Sequence, residues 1–287
     1  MAIFSVPYMM LADCRNTAAE IELIVTNLNI YQLQDFVEDN RKEHKGQRIV
    51  LNVGHIDSEN AELYSRTIDS IYAEDIIIKT DYSLFHFYTE NYDKKWNVRY
   101  MNVCRNWDEY YEILTAKVFT EIRIGGELLF DLVDVEAMAK RYKKKLCVPA
   151  NMAIGPEDER FYLASFVRPE DISWYEEYID IFELSSTRWA DATALDTVYD
   201  IYTKDKRWDG PLNTLIIAND KLNDKLGTIE GNRLLNDWSK YRLNCERVCM
   251  KGHSCRICPS QLSIADSLKQ AGVVFVREQK ENKENEV

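Results

Sequence analysis

Seven cysteines occur in the chain, and four of them, Cys245, Cys249, Cys255 and Cys258, fall close together near its C-terminal end. Their spacing, C-x3-C-x5-C-x2-C, lets four soft thiolates surround one tetrahedral metal ion or one iron–sulfur cluster. Zn2+ suits the compact contiguous run, in which Lys251 and Arg256 flank the thiolates. A [4Fe-4S] cluster suits Cys258-Pro259, because a cysteine followed by proline is common in ferredoxin-type runs. His253 between them reads as a neighbour rather than a ligand. Two local disulfides would need an oxidising compartment, and the sequence carries no sign of one.

A site of this kind must be carried by a folded body, and the composition allows one. The chain has 287 residues, 46% of them hydrophobic, with six Trp, seventeen Tyr and ten Phe. That is enough for one large α/β domain with an appendage. The net charge of −12 disfavours non-specific binding to nucleic acid, which relies on Lys and Arg. No apolar run reaches the length of a membrane span. The opening stretch Ala2 to Ala12 lacks a basic leader and is expected to be a buried first strand. A cytoplasmic protein with reduced thiols is expected.

Apolar runs of strand type alternate with segments of helical period. Strands are expected at 21–26, 48–53, 76–79, 84–88, 98–103, 121–124, 146–149, 161–167 and 179–184. Helices are expected at 31–44, 59–73, 108–116, 134–144 and from Pro169 onward, where proline and acids mark a helix start. Such alternation implies a parallel sheet. So many units in this length, without a glycine-rich nucleotide turn, point to a TIM-like (β/α) barrel over residues 1–186. Residues 187–277 form an extension packed on it, helical over 188–204 and strand-like over 212–217, which carries the four cysteines. Residues 278–287 form a charged, disordered tail.

In such a barrel the side chains just past the strand ends line the active mouth. These positions give His55, Asp81, Arg105, Glu127, Asn151, Arg168 and Glu183. Catalytic roles fall first to Glu127, Arg168, Asn151, Glu183 and His55, a polar set suited to a small anionic ligand. Each also has a plain structural reading. Glu127 would cap the next helix, Asp81 would belong to a turn, and Arg168 would anchor a loop. Cys104 and Cys147, inside apolar runs, read as inert core thiols.

The segments Glu121-Ile-Arg-Ile-Gly-Gly-Glu-Leu-Leu-Phe130, Pro149-Ala-Asn-Met152 and Phe166-Val-Arg-Pro-Glu-Asp-Ile172 resemble the barrel of the collagenase-like peptidase family. The run Cys245-Glu-Arg-Val-Cys249 is similar to that family's Cys-x3-Cys. The chain also resembles uncharacterised bacteriophage proteins with the same Arg-Pro-Glu-Asp-Ile element and a terminal cysteine cluster. The resemblance implies a TIM barrel, often with an iron–sulfur cluster, and a nucleobase-containing substrate in members that hydroxylate RNA bases. Two functions are therefore expected. One is a peptidase-type barrel with a metal or iron–sulfur site, acting on a small anionic or nucleobase-containing substrate. The alternative is a non-catalytic, acidic phage accessory protein with structural zinc that docks a protein partner.

Overall fold

Eight short strands rich in Ile, Val and Leu build one sheet: β1 (Ile3–Pro7), β2 (Glu20–Ile24), β3 (Arg48–Gly54), β4 (Ile76–Thr80), β5 (Asn97–Cys104), β6 (Glu121–Ile124), β7 (Lys145–Pro149) and β8 (Ile181–Glu183). Every strand lies parallel to the next in chain order. β8 returns to β1 through the pairs Ile3–Ile181, Phe4–Phe182 and Ser5–Glu183, which closes a TIM-like (β/α) barrel. The structure, a computed structural model, describes residues 2–26, 28–56, 58–86, 96–154, 166–185, 191–218 and 223.

Successive strand residues face opposite sides, and the two faces differ in chemistry. Outward-facing Ile21, Ile49, Leu51, Ile78, Val98, Ile122, Leu146 and Phe182 are buried in one apolar layer beneath the helices. These helices are α1 (Leu33–Glu43), α2 (Ser58–Ile71), α3 (Ser83–His86), α4 (Trp107–Thr115), α5 (Leu132–Arg141), α6 (Ile172–Tyr175) and α7 (Ala192–Asp200). Leu33, Val37, Tyr110, Ile113, Leu132, Val135 and Leu195 supply their inner stripes. Inside the barrel, Val50, Ile77, Cys147 and Ile181 share the space with buried charges.

Local signals fix the turns. The Asn106 side chain accepts the Glu109 N–H at 3.0 Å, and Glu109 in return accepts the Arg105 N–H at 2.6 Å, a reciprocal cap that starts α4. Gly126 sits at φ +57°, where a Cβ would come within 2.6 Å of the Arg105 carbonyl oxygen, so only glycine fits. Asp191 caps α7 by accepting the Ala194 N–H at 3.0 Å.

Three expectations need correction. Residues 84–86 belong to the helical turn α3 rather than a strand, because Asp81 accepts the Ser83 N–H at 2.7 Å and turns the chain there. Phe166 and Val167 are buried without joining the barrel, and residues 161–165 lie outside the described residues. The stretch 212–217 is a 3-10 turn at Leu212–Thr214 followed by a single bridge from Ile217 to Met152. Past the barrel, Leu195, Val198, Tyr202, Leu212 and Ile216 are buried in the same apolar layer, and the Tyr202 hydroxyl donates to the Val167 carbonyl at 2.6 Å. The tail 278–287 lies outside the described residues.

Candidate functional site

Charged residues at inward-facing strand positions meet in a lattice inside the barrel. Its centre is Arg99 on β5, which donates to Glu121 on β6 at 2.8 Å, Glu20 on β2 at 2.7 Å and Glu183 on β8 at 3.2 Å. Arg48 on β3 pairs with Glu20 at 2.7 Å and Glu121 at 2.6 Å. Toward the C-terminal ends of the strands, Lys79 on β4 donates to Glu22 on β2 at 2.7 Å and lies 3.2 Å from Glu183. The second Glu183 oxygen accepts Arg123 of β6 at 2.7 Å. Asn52 of β3 donates to the other Glu22 oxygen at 2.6 Å, and Arg123 also donates to the Met101 carbonyl. Four carboxylates thus face four cations, and the lattice is neutral as a unit.

Electrostatics favour the charged forms of Glu121, Glu183 and Arg99. Burial alone would push the Glu121 carboxyl up, but the guanidinium groups of Arg99 and Arg48 outweigh it and hold it below the usual carboxylate range. Burial likewise opposes ionisation of Glu183, yet Arg123, Lys79 and Arg99 hold it well below that range. Burial disfavours the charge on Arg99 too, and the surrounding Glu20, Glu121 and Glu183 more than restore it. The Cys147 thiol inside the barrel is driven well above its ordinary value, first by burial. It is therefore no nucleophile.

The lattice reaches solvent by degrees. Exposure is nil at the Glu20 and Arg99 side chains, 6% at Lys79, 12% at Arg123 and 16% at Glu22. Arg48, 22% exposed, carries the lattice to solvent at the opposite, N-terminal end of the barrel. Glu22, Asn52 and Arg123 therefore edge the lattice at the end where barrel active sites lie, with Lys79 and Glu183 buried just beneath them.

The strand-end residues singled out from sequence fall differently. Glu183 is a member of the lattice. His55 Nδ1 lies 3.0 Å from Asp81 Oδ2 on an exposed rim. Burial acts to raise the Asp81 carboxyl, but hydrogen bonds from Ser83 and the pairing with His55 leave it below the usual range. Glu127 accepts the Trp107 N–H at 3.3 Å, and its own N–H reaches the Arg105 carbonyl at 3.0 Å. Arg168 is buried in a two-pronged pair with Asp171, at 2.7 and 2.9 Å. Asn151, also buried, donates to the carbonyls of Ser185 and Leu215 and accepts the Ser185 N–H at 3.0 Å, tying the ends of β7 and β8 together.

The sequence reading missed Glu20, Glu22, Arg48, Lys79, Arg99, Glu121 and Arg123. A signal for them existed. In Glu20-Ile-Glu22 and Glu121-Ile-Arg123 charge alternates with isoleucine, and two-residue alternation puts both charges on one face of a strand.

No family model and no curated protein matches the chain. Solved structures do. A monomeric dihydrodipicolinate synthase variant is 9% identical with a TM-score of 0.42, the match covering 96% of this chain and 98% of that one. A 2-keto 3-deoxygluconate aldolase from Picrophilus torridus is 8% identical with a TM-score of 0.38, covering 95% and 94%. A conserved protein of unknown function from Enterococcus faecalis is 9% identical with a TM-score of 0.36, covering 64% of this chain and 61% of that one, less than two thirds of its length.

These findings correct the functional expectation. The resemblance to a collagenase-like peptidase is carried by no family model and by no curated protein. Among the described residues no group of three or more His, Cys, Asp or Glu is placed to hold a metal ion. Cys245, Cys249, Cys255 and Cys258 lie outside the described residues. The segments that carried the resemblance have local tasks instead. The Gly125-Gly126-Glu127 turn docks on the Arg105 carbonyl and α4, and the Arg168–Asp171 pair fixes the turn before α6. The collagenase-like peptidase reading does not stand, while the zinc or iron–sulfur site expected on the four cysteines falls outside the described residues. Among the described residues no helix is long and apolar enough to cross a membrane.

Proposed function

We propose that the C-terminal mouth of the barrel binds a small zwitterion, an α-amino acid being the simplest case. Its ammonium group would sit on Glu22 and its carboxylate on Lys79 and Arg123. The observation that carries this reading is the neutral lattice whose accessible edge offers both signs of charge, with Glu22 and Lys79 2.7 Å apart. A buried charge costs several kcal/mol unless it is compensated. An anion alone would add unbalanced negative charge to a lattice already balanced, in a chain of net charge −12. A zwitterion brings its own balance and exchanges one internal ion pair for two new ones. The Glu22 carboxylate and Lys79 ammonium are also the acid–base couple available to move a proton on the bound molecule.

Thermal unfolding with a panel of amino acids tests the reading. A ligand that binds only the folded state raises the midpoint in proportion to its occupancy. At least one α-amino acid should raise it, and Lys79→Met and Glu22→Gln should each remove the shift. A panel that gives no shift, or shifts that both variants keep, would refute the proposal.

A further inference from the structure

We infer that the ligand carries an apolar side chain pointing away from its two charges, with Ile24 and Leu28 as the surface that receives it. This rests on the zwitterion reading of the mouth and narrows it to one substrate class.

The argument begins on β2. Glu20, Glu22 and Ile24 stand two residues apart, so all three share the inward row of that strand. The first is fully buried, the second opens to solvent, and the third is 54% exposed. Ile24 is in register with Asn52, whose amide donates to Glu22. The apolar side chain therefore stands one step above the carboxylate that would hold the ammonium group.

Its surroundings match it. Met10 and Leu11 follow β1, and Leu28, 91% exposed, follows β2. In a parallel barrel both connections leave from the C-terminal ends of their strands, the end where Glu22 and Arg123 reach solvent. Leu28 is brought to Ile24 by its neighbour Asn29, whose amide donates to the Ile24 carbonyl at 2.9 Å, and exposed apolar side chains at one end of a barrel offer a binding surface. Farther along the chain, Tyr111, Val133, Tyr142 and Trp174 belong to the outer helical layer, and Tyr82 packs edge-on against Phe119 at 5.1 Å. Charge below and apolar surface above fit a molecule that is zwitterionic at one end and aliphatic at the other.

Titration calorimetry with glycine and with leucine separates this inference from the reading beneath it. Leucine should bind roughly ten-fold or more tightly than glycine, the range that added methylene groups supply in an apolar site. Ile24→Ser and Leu28→Ser should each narrow that ratio several-fold. Glycine binding as tightly as leucine would overturn the inference and leave the zwitterion site intact. Failure of every amino acid to bind would overturn both. Should Ile24→Ser fail to fold, the wild-type ratio and Leu28→Ser decide the matter.

Discussion

Arg99 donates to Glu20 at 2.7 Å inside the barrel, two fully buried charges separated by 79 positions in the chain. The bond spans three strand-to-strand steps, from β5 to β2. It can form only once β3 and β4 have taken their places between them. Losing either partner would leave the buried lattice one charge out of balance, so the pair ties correct closure of the barrel to electrostatic neutrality.

Replacing Arg99 by methionine should therefore be severe. Glu20, Glu121 and Glu183 would lose their shared cation, and breaking a buried pair from one side costs about 3–5 kcal/mol. Urea denaturation of Arg99→Met against wild type measures it. Arg99→Lys should recover only part of the loss, because an ammonium is a point charge and cannot reproduce the fork that reaches three carboxylates.

Acid should weaken the fold through the same groups. Free glutamates titrate near ~4.3, whereas Glu121 and Glu183 are held lower in the folded barrel. Below that value the unfolded chain binds more protons than the folded one, so stability falls as the pH falls. Their contribution is fully present above about pH 4.3 and is lost progressively toward the depressed folded values. Urea midpoints taken from neutral pH downward should show this decline. Glu183→Gln should make it shallower, and an identical slope in wild type and variant would argue against the assignment.

Much of this architecture was readable from residue order. Runs such as Ile76-Ile-Ile and Val50-Leu-Asn-Val alternating with helical periods led to the barrel, and seven of the eight strands overlap closely with their apolar runs. The eighth, β8, starts two residues later than expected, after the exposed Asp180 accepts the Leu146 N–H at 2.8 Å through its side chain. The candidate site was harder to see, for a physical reason. Strand-end positions were searched for free polar groups, yet the accessible charges sit one inward step earlier, inside the strands. Lys79 and Arg99 look like isolated charges in apolar runs until closure of the sheet brings Glu22, Glu20, Glu121 and Glu183 around them.

Asn151 offers a contrast between structural and ligand-binding roles. Its amide joins the end of β7 to Ser185, just past β8, and to the 212–215 turn through three hydrogen bonds, one of them fully buried. Asn151→Ala should cost about 1–3 kcal/mol, the range for leaving buried polar groups unsatisfied. Chemical denaturation reads that loss. Amino-acid affinity of the folded fraction should stay near the wild-type value, and a large loss of affinity at unchanged stability would move Asn151 into the ligand site.

The mouth is expected to recognise paired opposite charges. Titration calorimetry on three forms of leucine tests it most directly: the free amino acid, the N-acetyl derivative that keeps only the carboxylate, and the methyl ester that keeps only the ammonium. The neutral lattice edged by Glu22, Lys79 and Arg123 predicts binding of the free amino acid, with each blocked form weaker by at least about ten-fold, the effect of roughly 1.4 kcal/mol. If N-acetyl-leucine or the ester binds as tightly as leucine, the charge-paired site is contradicted.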